Sequence, residues 1–554
     1  MHAQDPAADL VLTGGPVVTM DAVRRTAEAV AVRDGRIVAV GRAADVARLV
    51  GPSTRRIDLA GRTLLPGFQD AHVHPVKGGI GMLQCALHDV PRTPVAYVDA
   101  IRTYATAHPT DPWIVGGGWH MPAFPGGTPT RSALDEAVPD RPAFLTNRDV
   151  HGAWVNSRAL EIAGIDRETA DPPDGRIERD ADGEPSGTLH EGAMDLVERH
   201  VPEPTVEDLA RGLLLAQAYL QGLGITAWQD AWVTPPDLAA YRLIAERGGL
   251  TSRAIACLWW DRARGDAQVD DLVEMRRIGT VGRLRAGTVK IMLDGIVENF
   301  TAATLVDYLG PDGLPTGNRG MSFLEPRDLK RHVTRLDALG FQVHFHALGD
   351  RAVREALDAI EAARIANGPS DGRHHLAHLQ IVDPADVARF RPLGAVATMQ
   401  PYWACGDDQM VEMTIPFLRP DRAALQYPFR SLHRAGAMLA GGSDWTVSTP
   451  NVLQEVEVAV DRVSVKHRAA APFLPGEALA LPDALAAFTM GSAYVNHLDV
   501  ATGSIEVGKD ADLVVLDRDV FDRGAGPIGD ARVILTLIAG TAVHEDAALE
   551  VGSR

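Results

Sequence analysis

Two histidines separated by one residue are the first feature of this sequence that could bind a metal ion. His72 and His74 follow the apolar run Leu64–Phe68. Residues two apart on a β-strand point to the same face, so both imidazoles could reach one ion. A surface pair on an edge strand would have the same spacing. The His-x-His pattern by itself therefore leaves both interpretations open.

Further candidate ligands stand where other predicted strands end. They are His346 before Gly349-Asp350, His378, and Asp444 after Gly441-Gly442-Ser443. Each residue alone is more typical of a structural role, such as an aspartate that caps a helix. Their shared position at strand ends is what indicates a site. His344 lies on the same predicted face as His346, so the period of two does not choose between them. We prefer His346 because it is next to the Gly-Asp turn.

Lys290 lies inside the apolar segment Thr288–Met292. A buried lysine is costly unless its charge is paired or its pKa is lowered. It could form a salt bridge with a carboxylate, which the sequence alone favours. It could also lose its proton and react with CO₂ to form a carbamate that bridges two metals.

The elements that must position these residues alternate between short apolar runs and helical patterns. Repeated βα units indicate a parallel sheet, and eight such strands fit a (β/α)₈ barrel. The predicted strands are the one before His72 and those at residues 224–228, 252–258, 287–292, 341–346, 375–379, 396–399 and 438–442. The interval between the first two is far longer than the roughly 30 residues of a βαβ unit. We therefore predict an insertion at about residues 76–222, over the barrel mouth.

Both ends of the chain are rich in short β-type runs. At the N-terminal end, Gly14-Gly15 separates residues 10–12 from 16–19 as a turn signal, and the last sixty residues have a similar pattern. Because chain termini often lie close together, we expect one small β domain built from both ends. The predicted boundaries are residues 1–65 plus 498–554 for a composite β-sandwich and 66–497 for the barrel.

Composition excludes several classes of protein. The chain has 554 residues and a formal net charge of −19, which argues against nucleic-acid partners and anionic membranes. It has no apolar run of about 18 residues, as a membrane span would need. Cys85, Cys257 and Cys405 match no ligand spacing and are too few for a disulfide scaffold. We expect an acidic protein of the cytoplasm.

The sequence resembles the amidohydrolase superfamily, in particular the amidohydrolase family 3 branch that contains N-substituted formamide deformylases. The resemblance runs from about residue 9 to residue 545. The matching segments are Pro66–His74, Asp149–Leu160, Gly187–Glu191, Val289–Ile291 with Asp294-Gly295, His346–Ala352, His378–Gln380, Ser443–Trp445 and Gly503–Asp517.

This resemblance implies one or two divalent ions, with Zn²⁺ as the default, at the mouth of a distorted (β/α)₈ barrel. It implies that His72, His74 and Asp444 bind the first metal, that His346 and His378 bind the second, and that Lys290 bridges them as a carbamate. Bound Zn²⁺ lowers the pKa of water toward about 7. Asp444 is then expected to carry the proton from water to the leaving nitrogen, a role that contributes roughly 10²–10⁴-fold.

Four further residues are candidate substrate contacts, namely Trp119, His151, Asn156 and Glu191. The alternative for each is a role in folding the insertion, since Asn156-Ser157 also resembles a helix start and a tryptophan is more often buried packing.

We predict a metal-dependent hydrolase of a non-peptide C–N bond, with an N-substituted formamide or small N-acyl amine as substrate. The alternatives are a cyclic amide hydrolase or deaminase of the same superfamily, a metal-dependent decarboxylase, and a sensor without activity. The expected partner is a small-molecule amide, and a homodimer stays open.

Overall fold

In the computed structural model, which describes residues 6–547 and 549, eight parallel strands surround the centre of the molecule. They are β1 (Phe68–Val73), β2 (Ile225–Val233), β3 (Arg253–Trp259), β4 (Leu284–Met292), β5 (Gln342–Ala347), β6 (His375–His378), β7 (Val396–Met399) and β8 (Met438–Gly441). Each strand pairs with the next in chain order, from β1 to β8. This arrangement confirms the predicted α/β class and the distorted (β/α)₈ barrel.

The barrel closes between β1 and β8 through residues that follow the strands. Asp444 N donates to His72 O at 2.7 Å, and His74 N donates to Trp445 O at 2.9 Å. The Asp70 carboxylate also accepts a hydrogen bond from Ser443 Oγ at 2.6 Å. The closure therefore occurs at the carboxyl ends of the strands, where the active sites of such barrels lie.

Helices cover the outside of the barrel because their apolar residues recur every three or four positions. Helix Asp350–Asn367, for example, buries Val353, Ala356, Leu357 and Ile360. The helices of this part of the chain are Pro75–Gly81, Val206–Gly222, Pro235–Glu246, Val269–Ile278, Pro326–Ala338, Asp350–Asn367, Pro384–Val387, Phe390–Leu393, Pro420–Ala423, Phe429–Arg434, Val452–Asp461, Leu481–Ala486 and Ser492–Val495.

The segment between β1 and β2 forms a six-stranded sheet with its own apolar clusters. In sheet order its strands are Gly175–Arg179, Pro185–Glu191, Gly152–Val155, Ala143–Asn147, Ile114–Trp119 and Cys85–Ala86. Its helices are Pro94–Ala107, Arg131–Ala137, Ser157–Ala163 and Asp195–Glu198. Helix Val206–Gly222, inside the predicted insertion, packs against Pro75–Gly81 and Pro235–Glu246 and so belongs to the helical layer of the barrel.

A third sheet joins the two ends of the chain. Its strands are Thr541–Glu545, Val533–Ile538, Leu513–Leu516, Leu64–Pro66, Leu10–Val18, Thr26–Arg33 and Arg36–Gly41, with Arg55–Asp58 beside Leu10–Val18 and helix Ala43–Val46 nearby. The link between the ends is the antiparallel pair of Leu64–Pro66 with Leu513–Leu516. The sandwich architecture and the domain boundaries stay predictions. Residues 1–5, 548 and 550–554 of the predicted domain lie outside the described residues.

One local prediction in this sheet is wrong. Gly14-Gly15 does not form a turn between two strands, because Leu10–Val18 is a single strand with a bulge between Thr13 and Val17. Gly14 has φ of +84°, which a glycine adopts without steric cost. None of the helices in the described part of the chain combines the length and the apolar character needed to cross a membrane.

Candidate metal centre

Three predicted ligands meet where β1 and β8 end. The Nε2 atoms of His72 and His74 lie 3.3 Å and 2.8 Å from Asp444 Oδ1. One ligand atom from each of the three residues lies within 4.8 Å of the others. All three side chains are buried, so this is a compact set of N and O donors of the kind that binds Zn²⁺.

The backbone around this set is tightly held. Asp70 accepts hydrogen bonds from His72 N and Ser443 N, at 3.0 and 3.1 Å, and thus ties the two strand ends together. Asp444 has φ of +52°, in the left-handed region that non-glycine residues rarely adopt. Such backbone strain clusters at active sites. Here it occurs at Asp444, the residue that is expected to bind metal and to carry the proton.

His378 and His346 lie on the other side of Asp444. His378 Nδ1 is 3.9 Å from Asp444 Oδ2, and the His346 and His378 rings are 4.4 Å apart. The His378 backbone N donates to Gln400 Oε1 at 2.7 Å, which supports its left-handed φ of +81°. The structure therefore brings both predicted ligands of the second metal to the same site.

The choice that the sequence left open, between His344 and His346, has a geometric answer. His344 points deeper into the barrel, where its Nε2 lies 2.8 Å from His72 Nδ1, on the ring edge opposite Asp444. His346 lines the cavity beside His378. Both side chains are on the same face, as the period of two requires, but two residues of strand rise separate their depths. His346 is thus placed to reach a shared ion, and His344 is placed to support His72.

Lys290 is buried in β4, beside His344 of β5, and its Nζ has no hydrogen-bond partner in the structure. The salt bridge that its sequence context favoured is not formed. Burial lowers the pKa of Lys290 to about 8, with Asp444 opposing the shift. A fraction of the Lys290 side chains is therefore the neutral amine near neutral pH. The neutral amine is the form that reacts with CO₂.

The charges in the site suit metal binding. Burial lowers the pKa of His72 to about 3 and holds the pKa values of His346 and His378 well below the usual range, so these imidazoles are neutral. Burial alone would raise the pKa of Asp444, but His72 and His74 outweigh it and hold that pKa well below its usual range. Neutral imidazoles and an ionised carboxylate are the states that bind metal ions.

Unpaired buried atoms supply an independent test of fit. Both ring nitrogens of His378, Nδ1 of His74 and Nζ of Lys290 are buried without a hydrogen-bond partner. Buried polar atoms are nearly always paired, so a cluster of exceptions calls for an explanation such as an ion. The donor set and these atoms together fit one or two divalent ions held by the six predicted ligands.

A cleft of about 750 Å³ opens over the centre, between the barrel and the insertion. His346, His378 and Asp444 form its floor. The other lining side chains come from the insertion and from the loops after β4, β5, β6, β7 and β8. They are Arg92, His120, Arg148, Asp149, His151, Ile296, Glu298, Leu348, Gln380, Tyr402, Trp403, Asp407, Gln409, Met410, Tyr427, Val447 and Ser448.

His151 and Glu191 form a buried pair above this floor. His151 Nδ1 lies 2.7 Å from Glu191 Oε2, and Thr301 Oγ1 donates to Glu191 Oε1 at 2.7 Å. The His151 ring lines the cleft, 5.6 Å from the His346 ring. Glu191 is not among the lining residues, so of these two predicted substrate contacts His151 faces the cleft and Glu191 positions it.

Asn156 and Trp119 serve the fold of the insertion. Asn156 Oδ1 accepts from Ala159 N at the start of helix Ser157–Ala163 and from Ala143 N, and its Nδ2 donates to two carbonyls. Trp119 is fully buried and donates to Leu145 O. Neither side chain lines the cleft. The structural alternative thus describes them better than the predicted contact with substrate.

Sequence reasoning missed Asp70 and Asp294, which hold the ligands in place. Asp294 accepts hydrogen bonds from Ala303 N and Gly349 N, both at 2.9 Å, and lies 3.3 Å from His346 Nδ1. Asp70 lies in the segment Pro66–His74 and Asp294 in Asp294-Gly295, two of the segments that carry the family resemblance. A buried aspartate beside a candidate ligand was the available signal.

Comparison with known proteins gives a consistent result. The model of a family described as the amidohydrolase family matches residues 55–544. The protein LONG AFTER FAR-RED 3 of Arabidopsis thaliana is 31% identical, over 97% of this chain and 92% of its own length. An N-substituted formamide deformylase of Arthrobacter pascens is 29% identical, over 97% of this chain and 98% of its own.

A solved structure also has this fold. An uncharacterized metal-dependent hydrolase from Pyrococcus furiosus matches with a TM-score of 0.70 and 24% identity, over 92% of this chain and 99% of that chain.

Proposed function

We propose, from the premise that this chain belongs to the amidohydrolase family, that it hydrolyses the amide bond of a small N-acyl amine. An N-substituted formamide is the leading substrate. The protein is a hydrolase of carbon–nitrogen bonds other than peptide bonds, as the family assignment implies. The observation that carries the proposal is the position of Asp444, which contacts His72 and His74, faces His378, and lines the cleft.

His72, His74 and Asp444 would hold one Zn²⁺ ion, and His346 and His378 would hold a second. When bound, the metal supplies Lewis acidity that polarises a carbonyl and makes water more acidic. Lys290 would bridge the ions as a carbamate, formed when its neutral Nζ attacks the carbon of CO₂ and loses a proton. Its burial, lowered pKa and missing hydrogen-bond partner support this assignment.

Asp444 would move the proton. It would accept a proton from the attacking water at one carboxylate oxygen and deliver it to the leaving nitrogen, because an amine leaves poorly unless it is protonated. His151 faces the floor of the cleft from above, held by Glu191, and would hold a polar atom of the substrate.

The leading substrate class is supported by full-length similarity to an N-substituted formamide deformylase. The experiment is to supply metal-replete protein with N-formyl, N-acetyl and cyclic amides and to quantify amine and carboxylate together. Equimolar amine and formate, reduced about 10²–10⁴-fold in Asp444→Asn, would support the proposal. Ammonia release without a carboxylic acid would instead identify a deaminase, and CO₂ release a decarboxylase.

Removal of the metal is a second test of the same proposal. Dialysis against a chelator should abolish amide hydrolysis and lower the melting temperature, and added Zn²⁺ should restore both. An ion at 100 times its Kd stabilises the folded state by about 2.7 kcal/mol. Arg158→Gln, an exposed substitution on helix Ser157–Ala163 of the insertion, is the control variant and should respond to metal removal as the wild type does. Unchanged activity in metal-free protein would contradict the proposal.

The proposal also includes a reducing compartment such as the cytoplasm. Its support is that Cys85, Cys257 and Cys405 are all buried and unpaired.

A further inference from the structure

One wall of the cleft carries two arginines that form no ion pair with any described residue. We propose that Arg148, with Arg92 and His120, forms a subsite for an anionic group of the substrate, so that the preferred amide carries a carboxylate or a phosphate. This inference rests on the proposed function, because it names the class of amide that the same cleft selects.

Arg148 is the centre of this subsite. Its Nε donates to Val447 O at 3.0 Å, which fixes the direction of the side chain. Its terminal nitrogens have no acceptor among the described residues, and no carboxylate of the described chain lies within 4.0 Å of the guanidinium. Arg148 lines the cleft, so its guanidinium group can contact a ligand that binds there. This geometry suits a carboxylate or a phosphate, which arginine binds through two parallel hydrogen bonds.

Arg92 and His120 belong to the same wall. Arg92 lines the cleft from the loop before helix Pro94–Ala107 and likewise forms no ion pair with any described residue. The two arginines are close enough that the charge of Arg92 adds to burial in lowering the pKa of Arg148. Burial lowers the pKa of His120 to about 3, so its ring is neutral and can donate one N–H. The protein has a net charge of −19, yet neither guanidinium group forms an ion pair with a carboxylate of the described residues.

Among the described residues, no carboxylate of the cleft forms an ion pair with either arginine of this wall, although the charges of Asp149 and Asp407 act on these arginines from a longer distance. Asp149, Glu298 and Asp407 also line the cleft, but each already accepts a hydrogen bond from residues 409–414. Burial raises the pKa of Glu298 to about 7, so about half of that group is uncharged near neutral pH. The arginines stay protonated. The two guanidinium groups therefore lack a directly bonded carboxylate among the described residues, and an anionic ligand would supply a direct ion-pair partner.

The subsite is close to the catalytic floor. Arg148 is bonded to Val447, three residues after Asp444, a span of at most about 11 Å of extended chain. Arg148 is also three residues before His151, whose ring faces His346. A substrate that carries its anionic group on a short chain beside the amide could therefore reach both places.

The test compares acids with uncharged amides of the same size. The probes are N-formylglycine, N-formyl-β-alanine and N-formyl-4-aminobutyrate, each against its primary amide, with formate release as the readout. N-Formyl-2-aminoethyl phosphate separates a phosphate subsite from a carboxylate subsite. The variants are Arg148→Gln, Arg148→Lys and the exposed Arg92→Gln. Arg158→Gln is the control that removes one charge from the insertion outside the cleft.

We expect a higher kcat/KM for an anionic probe than for its uncharged counterpart. Arg148→Gln should reduce that preference about 10- to 100-fold, the loss of one charge-assisted interaction. Arg148→Lys should keep part of it, and Arg158→Gln should keep all of it. No preference in the wild type, or a preference that survives both Arg148→Gln and Arg92→Gln, would overturn the inference.

A binding measurement separates this inference from the proposed function. Calorimetric titration of the metal-replete protein with glutarate and with inorganic phosphate needs no turnover. Binding that Arg148→Gln weakens about 10-fold or more, in a protein that hydrolyses none of the amides, would keep the subsite and reject amide hydrolysis. Hydrolysis of amides without anion preference or anion binding would keep the proposed function and reject the subsite.

Discussion

The Nδ1 atom of His72 lies 2.8 Å from Nε2 of His344, on the edge of the ring opposite the 3.3 Å contact with Asp444. On the other side of the His344 ring, Nδ1 lies 3.5 Å from Cys257 Sγ. If His72 donates its Nδ1 proton to His344, its Nε2 presents a lone pair toward Asp444 and the metal position. Metal-binding histidines are commonly held in this way by a partner on their other nitrogen.

Loss of His344 should therefore weaken metal binding although His344 is not a predicted ligand of the ions. We expect His344→Leu to reduce Zn²⁺ affinity about 10- to 100-fold, measured by competition with a chelator. His344→Gln, which keeps an acceptor, should lose less. His332→Gln, a histidine on the helical layer paired with Asp266, is the control. Equal affinity in His344→Leu and wild type would show that His72 does not depend on this contact.

The proposed carboxylation of Lys290 predicts that activity depends on CO₂. Wild-type protein reconstituted with metal in CO₂-depleted buffer should have reduced activity, and bicarbonate should restore it, because the carbamate forms from the neutral amine. Lys290→Met should lose about 100-fold or more in kcat and should not respond to bicarbonate. The intact protein should also show a mass increment of one CO₂. A wild type indifferent to CO₂ and without that increment would mean an unmodified lysine.

The His151–Glu191 pair should stabilise the folded protein only over a limited range of pH. Burial would lower the pKa of His151, but Glu191 outweighs it and raises that pKa above its ordinary value of 6.5. The Glu191 pKa falls from 4.5 to about 2, since His151, Thr301 and Asn299 outweigh its burial. The His151 contribution is complete below pH 6.5 and is lost as pH rises through its raised pKa. The Glu191 contribution is complete above pH 4.5 and is lost as pH falls toward 2.

The interaction should then be strongest between about pH 4.5 and 6.5. A double-mutant cycle with His151→Gln and Glu191→Gln should give a coupling free energy of about 1.5–3 kcal/mol in this window, from denaturant unfolding, and less on either side. The cycle Arg158→Gln with Glu161→Gln is the exposed comparison and should give less than about 1 kcal/mol. A coupling that does not vary with pH would mean that the pair is not ionised.

Two helices pack against each other at a glycine on each helix. Helix Pro75–Gly81, which begins directly after His74, meets helix Val206–Gly222 at Gly79 and Gly212, and a Cβ on Gly79 would overlap the Gly212 carbonyl. Gly79→Ala should therefore destabilise the protein by about 1–3 kcal/mol and displace His74, reducing metal affinity. Gly81→Ala on the same helix has nothing within 4 Å and is the matched control. Thermal unfolding of both variants decides whether the contact is as tight as the structure indicates.

The eight barrel strands could be predicted because each is a short apolar run between helical patterns. Such a run indicates a buried strand whatever its tertiary contacts are. The long strand Leu10–Val18 could not. Its two halves pair with different segments, Arg55–Asp58 and Leu64–Pro66, so Gly14 serves as a bulge rather than a turn. Asn156 shows a similar limit, because a buried amide is satisfied equally by backbone or by substrate, and only its surroundings show which.

By itself the sequence determined the fold class and the residues that could bind metal, since strand periodicity and motif order are local properties of the chain. The depth of each side chain was decided by the tertiary structure. His344 and His346 share a face of β5, and only the barrel around them places one behind His72 and the other beside His378 in the cleft. The sequence likewise did not reveal that Arg148 lines the cleft without an ion pair to any described carboxylate, because that depends on every residue that packs around it.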